Sequence, residues 1–198
     1  ALSFPEIFGN CNPVEVEIGS GKSRFLIERA GENPGLNFLG VDYAAKWLGI
    51  GSERGVKLGV PNLKFVRGEA FELLRGYLLP ESVSVFHIYF PDPWPKRRHQ
   101  MRRLLRREFI GLLYSRLAPG GVVEIATDEG KYFEFIKNEI LAAGLDWERM
   151  RETVNERLFD GVKTHYEAKF EAAGKALHYL ELEKNPRSKG VDRKCEIC

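Results

Sequence analysis

The sequence contains little cysteine and no long apolar run. Its 198 residues include three cysteines, Cys11, Cys195 and Cys198, too few for the disulfide framework of a small secreted domain. No uninterrupted apolar stretch approaches the length of a membrane span, and the opening residues A-L-S-F-P-E lack the charged and apolar regions of a signal peptide. We therefore expect a cytoplasmic protein that does not use a membrane.

The net charge of the whole chain is small, but positive charge is concentrated in one segment. The 30 Lys and Arg and 28 Asp and Glu residues leave a net charge of +2. The segment 92–107, called the basic segment below, holds seven basic residues and one acidic residue, a net charge of +6. The remaining 23 basic and 27 acidic residues carry −4. Because a local patch steers and orients a polyanion, this segment is a candidate binding surface.

The length and the alternation of elements predict one α/β domain. The domain is expected at residues 1–183, followed by a polar, basic and flexible tail at 184–198. Repeated β-α units with short links predict a doubly wound, mostly parallel Rossmann-like sheet. Strands are predicted at 14–18, 36–41, 63–66, 83–90, 122–126 and 177–182, and helices at 24–30, 44–57, 103–117 and 131–142. Ligands of such sheets bind beyond the carboxyl ends of the strands.

A glycine-rich loop, Gly19-Ser20-Gly21-Lys22-Ser23, follows the first predicted strand. Two spacings that bind phosphates do not fit it. A Walker A loop needs a glycine five residues before Gly21, where the chain has Val16, and the third glycine of a dinucleotide-binding loop would fall at Arg24. The loop therefore favours a nucleoside ligand without a pyrophosphate, although a G-x-G pair alone is also found in ordinary strand-to-helix turns.

Three acidic residues stand at predicted strand ends. Asp42 lies 23 residues after Gly19, near the spacing at which an acid binds a ribose diol, although a helix-capping role fits equally well. Glu69 also suits the first turn of a helix. Glu17, at the end of a central strand, must be solvated, paired or used on a ligand. Together these acids suit a cationic ligand that carries a ribose, such as S-adenosylmethionine.

The segment from Phe90 to Lys96, called the arm below, contains prolines at alternate positions. Pro91, Pro93 and Pro95 each fix their own φ, remove a backbone donor and keep the preceding residue out of the helical region. The arm is therefore predicted to be stiff and non-helical, with Asp92, Trp94 and Lys96 held in set directions. Trp94 is predicted to anchor the loop rather than to stack on a ligand.

These motifs resemble a known family. The run Pro91 to Lys96, followed by R-H and R-R-L at 98–99 and 102–104, resembles the signature of bacterial tRNA (guanine-N7-)-methyltransferases. The runs E-I-G-S-G-K at 17–22 and T-H-Y-E at 164–167 are similar to two further motifs of the family, and all occur in the family's order. The chain departs from the pattern at Met101, where a basic residue is usual, and at Ser23, where glycine is common.

The resemblance implies a class I methyltransferase that uses S-adenosylmethionine to methylate the guanosine at position 46 in the variable loop of tRNA. It implies a cofactor side formed by Glu17, Gly19, Gly21, Asp42, Glu69 and Asp92, with Asp92 also at the reacting centre. It implies a nucleoside side formed by Lys96, Asp128, Thr164, His165, Tyr166 and Glu167. Phosphate contacts are expected from Arg97, Arg98, His99, Arg102 and Arg103.

The chemistry fits the residues present. Guanine N7 carries a lone pair and no proton, so methylation needs alignment and electrostatics rather than a strong base or a Cys or Ser nucleophile. Asp92 or Asp128 is expected to accept hydrogen bonds from the guanine edge. Cys195 and Cys198 have the spacing of zinc ligands but lack two suitable partners nearby, so no metal is expected. A catalytically silent RNA-binding subunit and a small-molecule methyltransferase remain the alternatives.

Overall fold

A computed structural model describes residues 2–159 and 162–187. In these residues, seven strands form one sheet in the order β3-β2-β1-β4-β5-β7-β6. Strands β1 to β5 are parallel, and β7 is antiparallel to both β5 and β6. The strands are β1 (Val14–Ile18), β2 (Asn37–Asp42), β3 (Leu63–Arg67), β4 (Val83–Tyr89), β5 (Leu117–Thr127), β6 (Trp147–Val154) and β7 (His178–Lys184). The strand order reverses between β1 and β4.

Helices cover both faces of the sheet. They are α1 (Phe4–Phe8), α2 (Arg24–Glu32), α3 (Ala45–Lys57), α4 (Ala70–Gly76), α5 (Arg107–Arg116), α6 (Gly130–Ala143) and α7 (His165–Ala172), with a 3₁₀ helix at Arg97–Arg102. The larger hydrophobic core joins Val16, Phe86 and Ile125 of the central strands to Phe109 of α5 and Ile136 of α6. A smaller core joins α2 to β2 and β3. This arrangement confirms the doubly wound, mostly parallel fold.

Strand β1 shows how alternation places polar groups in the centre of the sheet. All five residues of V-E-V-E-I are buried, because β1 lies between β2 and β4 and is covered on both faces. Val14, Val16 and Ile18 belong to the larger core. Since side chains of a strand alternate between its faces, Glu15 and Glu17 lie on the other face. Both acids are therefore inside the protein.

The central elements lie close to their predicted positions, and the boundaries differ elsewhere. Strand β5 begins at Leu117, and α5 begins at Arg107 rather than 103; residues 103–106, between the 3₁₀ helix and α5, are not helical. Helix α1, strand β6 and helix α7 were not predicted. Strand β6 is exposed over most of its length and charged, so it lacked an apolar pattern. Helix α7 could have been found from its capping-box sequence, T-x-x-E.

The predicted tail begins too early. Lys184 is the last residue of β7 and is buried, and its ammonium donates to the carbonyl of Leu117 at 2.8 Å. Cys195, Cys198 and the rest of 188–198 lie outside the described residues. None of the helices in the described ranges is both long and apolar enough to cross a bilayer.

Candidate active site

A cavity of about 430 Å³ opens at the carboxyl ends of the central strands. Its wall includes Gly19 and Gly21 after β1, Asp42 at the end of β2, Glu69 after β3 and Asp92 after β4. Because β1 and β4 are the strands between which the order reverses, this is where ligands of doubly wound sheets bind. The structure therefore brings together five of the predicted cofactor residues.

The glycine loop is held against the end of β2. The backbone N–H groups of Gly19 and Ser20 donate to the carbonyl of Val41 at 2.8 and 3.1 Å. Gly19 and Gly21 have φ of +80° and +50°, and Ser23 has φ of +56°. L-residues rarely adopt this region, so the position of Ser23 is one that glycine would occupy without strain. The turn is nevertheless retained with serine.

Asp42 lines the cavity and holds the backbone of two neighbouring segments. Its Oδ2 accepts a hydrogen bond from Gly21 N at 2.9 Å, and its Oδ1 accepts one from Ala44 N at 2.8 Å, next to the start of α3. The carboxylate thus fixes the glycine loop and the entry into α3 while it lines the cavity. Each oxygen keeps a further lone pair for a ligand.

Glu17 lies next to the cavity and is not part of its wall. It is 5% exposed, and its Oε2 is buried without a hydrogen-bond partner among the described residues. Burial raises the pKa of Glu17 to about 8; His87 opposes this shift and Asp42 adds to it. A buried acceptor without a partner is costly, so this oxygen suits a ligand that brings a donor or a positive charge.

A buried group of charges lies beside Glu17 and joins three strands. His87 of β4 is fully buried, with Nε2 2.9 Å from Glu15 Oε2 of β1 and Nδ1 2.7 Å from Glu124 Oε2 of β5. Arg29 of α2 binds both oxygens of Glu15 at 2.5 and 2.9 Å. Tyr89, which lines the cavity, donates to Glu124. His87 therefore links β4 to both of its neighbouring strands in the interior of the sheet.

The charges in this group stabilise one another. Burial alone would lower the pKa of His87, but the carboxylates of Glu124 and Glu15 raise it to about 9. Burial alone would raise the pKa of Glu15, but His87 and Arg29 lower it to about 2. At neutral pH two cations, Arg29 and protonated His87, face two carboxylates, Glu15 and Glu124, so the group is balanced.

The arm has the stiff, non-helical form that its prolines predict. Phe90 and Trp94, at either end of the Asp92 segment, have φ of +52° and +40°. Asp92 is exposed on the cavity wall. The ring of Trp94 also lines the cavity, meets His99 edge-on, and lies 5.2 Å from the guanidinium carbon of Arg102. Trp94 therefore packs within its own segment.

The basic residues divide into two groups. Lys96, Arg97, Arg98 and Arg102 are exposed, and Arg102 lines the cavity. Arg103 departs from its predicted place on a phosphate-binding surface, because it is only 8% exposed and its Nε donates to the carbonyl of Pro93 at 2.8 Å. The sequence showed that the segment is positively charged. It did not show that the side chain of Arg103, directly after the 3₁₀ helix, turns into the protein.

The T-H-Y-E motif also divides. Thr164 and Glu167 are buried and form the capping box of α7. Glu167 Oε1 also accepts from the Tyr179 hydroxyl at 2.9 Å and lies 3.0 Å from Arg157 Nε. These contacts correct the expectation that both residues reach a nucleoside in the cavity. Tyr166 does line the cavity and is 55% exposed, while His165 is exposed outside the cavity wall.

Asp128 lies away from the cavity wall. It follows β5, as predicted, but its carboxylate forms an ion pair with Lys175. Lys175 also lies 4.2 Å from the centre of the Phe170 ring, and Phe170 stacks on Tyr166. Asp128 is therefore linked to the cavity indirectly, through Lys175 and Phe170 to the wall residue Tyr166. The ion pair spans 47 positions, which no local pattern indicates.

Solved structures define the class. The 16S rRNA methyltransferase KamB is 15% identical to this chain, with a TM-score of 0.65, and the match covers 91% of this chain and 92% of that one. At this identity the likeness shows the fold alone. A sheet of this strand order, with a cavity at the reversal between β1 and β4, therefore has the class I methyltransferase fold.

The chain belongs to the family of tRNA (guanine-N(7)-)-methyltransferases. A protein-family model described as putative methyltransferase matches residues 11–180. The tRNA (guanine-N(7)-)-methyltransferase of Enterococcus faecalis is 34% identical over 90% of this chain and 83% of that protein. The one of Geobacillus kaustophilus is 32% identical over 92% and 84%. The resemblance carried by the sequence motifs is thereby confirmed.

We expect the free energy of unfolding of the ligand-free protein to fall as pH rises from about 6.5 to about 9. Folded His87 keeps its proton up to about pH 9, whereas an unfolded histidine loses it near 6.5. Its stabilisation is therefore complete below about 6.5 and is lost as pH rises through the folded pKa. Glu17, protonated in the fold up to about pH 8, acts in the same direction. The slope approaches about 1.4 kcal/mol per pH unit for each proton involved.

Urea unfolding at several pH values measures this slope. His87→Gln should flatten it and lower stability at pH 7 by about 3–5 kcal/mol, because Glu15 and Glu124 lose their shared cation. His165→Gln, at an exposed site, is the control and should keep the wild-type slope. A wild-type stability that is constant over this range would contradict the assignment.

Proposed function

We propose that this protein transfers the methyl group of S-adenosylmethionine to N7 of a guanosine in tRNA. The observation that carries the proposal is the cavity at the strand reversal, where Asp92 stands on the wall beside the basic segment. The names of relatives at 31–42% identity support the same reaction. The cytoplasm, where tRNA is modified, is the proposed location.

The residues around the cavity fit S-adenosylmethionine. Bound there, it would supply a methyl group on a positively charged sulfonium. Asp42 would accept hydrogen bonds from the ribose with its remaining lone pairs. Glu17 has a buried oxygen without a partner among the described residues, and the carboxylate of Glu69, a residue of the cavity wall, accepts no hydrogen bond from them. Both carboxylates suit the positive charges of this ligand.

Asp92 is the acid best suited to the acceptor base. No hydrogen bond or ion pair from the described residues reaches its carboxylate, whereas Asp42, Asp128 and Glu167 are all partnered. It can therefore accept hydrogen bonds from guanine N1–H and the exocyclic amine, which adenine cannot provide in this pattern. A partner built to accept such bonds discriminates against the wrong base, because the acceptor would otherwise remain unpaired.

The acceptor nitrogen sets the demands on the protein. Guanine N7 carries no proton, so the chain needs to hold two reacting atoms in line and to balance the positive charge that develops on the base. Asp92 provides negative charge at the cavity, and Tyr166 presents an exposed ring on the same wall, on which a base turned out of its stack can lie. The exposed arginines of the basic segment would bind the phosphates.

The experiment that tests the reaction is incubation of the protein with unmodified tRNA and methyl-labelled S-adenosylmethionine, followed by mapping of the labelled nucleotide. Label on N7 of one guanosine supports the proposal. Binding of S-adenosylhomocysteine and tRNA without transfer would instead indicate a silent RNA-binding subunit. Transfer to small acceptors that is indifferent to salt would indicate a small-molecule enzyme.

Substitution of Asp92 tests its place at the reacting centre. We expect Asp92→Asn to lower kcat for tRNA methylation by about 10²-fold or more, the scale of losing one electrostatic contact at a reacting centre. Melting temperature should be unchanged, because no hydrogen bond or ion pair from the described residues reaches the Asp92 carboxylate. Glu53→Gln, at an exposed carboxylate of α3, is the matched control. A near-normal kcat for Asp92→Asn would remove the residue from the mechanism.

The exposed arginines predict a salt effect. Arg98→Ala with Arg102→Ala should raise KM for tRNA and flatten the log–log dependence of tRNA binding on salt, by up to about 0.9 for each lost phosphate contact. Arg54→Ala, an exposed arginine on α3 away from the basic segment, should leave the slope unchanged. Filter binding of tRNA at several salt concentrations measures this slope. An unaltered slope in the double variant would argue against phosphate contacts there.

Glu17 predicts a proton released on cofactor binding. With a pKa of about 8, its carboxyl is protonated at pH 6.5 when no ligand is bound, and a cationic ligand favours the ionised form. Affinity for S-adenosylmethionine should therefore rise between pH 5.5 and 7, by up to about tenfold per pH unit. Calorimetry in two buffers of different ionisation enthalpy counts the proton. Glu17→Gln should abolish the release, and a wild-type protein that releases none would refute the contact.

A further inference from the structure

We propose that Arg103 is a positioning residue that fixes the arm around Asp92, and that it binds no phosphate. The inference rests on the proposed methyl transfer and adds a residue to it. Arg103 follows the 3₁₀ helix directly and is 8% exposed, whereas Arg98 and Arg102 in that helix are exposed. A guanidinium turned into the protein is not available to a nucleic acid on the surface.

The contacts of Arg103 join the arm to helix α6. Its Nε donates to the carbonyl of Pro93 at 2.8 Å. Its guanidinium carbon lies 5.1 Å from the ring centre of Tyr132 and 4.6 Å from that of Phe135. Tyr132 is itself fully buried in the larger core. Arg103 therefore ties the residue that follows Asp92 to a rigid part of the molecule.

The arm has little else to hold its backbone. Three prolines remove N–H groups from it, and Phe90 and Trp94 have the positive φ that L-residues rarely adopt. Phe90 N donates to the carbonyl of Ala126, and the carbonyl of Lys96 accepts from His99. Between those two residues, the bond from Arg103 is the hydrogen bond that reaches the backbone within the described part of the chain.

Arginine suits this position better than lysine does. The donor is Nε, which lies within the side chain, and the planar group beyond it faces two aromatic rings at once. Lysine keeps the positive charge but has neither the Nε donor at that point nor the flat surface. Arg103→Lys therefore removes the positioning contact with the charge of the basic segment unchanged.

The test compares Arg103→Lys with Arg98→Ala in the full chain, using tRNA methylation, tRNA binding at several salt concentrations and binding of S-adenosylhomocysteine. For Arg103→Lys we expect kcat to fall by about tenfold to 10²-fold, the scale of a displacement of about 1 Å at a reacting centre. Its salt slope should equal that of the wild type, and its affinity for S-adenosylhomocysteine should stay within about twofold. Arg98→Ala should show the opposite pattern, with a raised KM and a lower slope.

A second variant covers the case in which Arg103→Lys folds poorly. Phe135→Leu removes one ring from the guanidinium and leaves Arg103 in place. It should lower kcat by a smaller factor with the salt slope unchanged. A wild-type kcat in both variants, or a reduced salt slope with an unchanged kcat in Arg103→Lys, would overturn the inference. Wild-type protein without methyl transfer would overturn the proposed function itself.

Discussion

The bridging of Glu15 and Glu124 by His87 is the interaction on which the site depends. It joins β1, β4 and β5 in the middle of the sheet, directly below the strand ends that form the cavity. A charged group here would be unstable alone, and it is retained because two cations face two carboxylates in close contact. The same group holds Tyr89, a wall residue of the cavity, through Glu124. The part of the cavity wall formed by Tyr89 is therefore anchored to the sheet.

Whether an acidic residue near the cavity already has a partner separates structural from functional roles. Asp128 and Glu167 are engaged by Lys175, Tyr179 and Arg157, and these contacts join α7 and the residues after it to the ends of β5 and β7. Asp92 has no such partner within the described residues. Since a carboxylate that is already paired offers less to a ligand, the unpartnered acids are the ones that can respond to one. The acidic residues whose carboxylates lack a partner among the described residues are therefore the best candidates for binding a ligand.

Local patterns predicted much of the fold and part of the site. The strand V-E-V-E-I, the glycine loop and the alternating prolines depend on neighbours in sequence, and the structure places them as expected. Arg103 was misplaced because a run of like charges does not show which member turns inward. Thr164 and Glu167 were assigned to a nucleoside although T-x-x-E is also a capping box, and the structure uses it as one. The partner of Asp128 is remote in sequence, so no pattern could show it.

Electrostatics and geometry make different contributions in the basic segment. Positive charge attracts a polyanion over distances near the Debye length of about 8 Å, but it does not specify at which nucleotide the nucleic acid is held. Register requires a fixed point, and Asp92 can serve as one only if the arm does not move with the bound nucleic acid. The prolines limit its internal rotation, and Arg103 ties it to α6. In the proposed mechanism, one inward arginine among seven basic residues would thus add the placement of a single base to a general attraction.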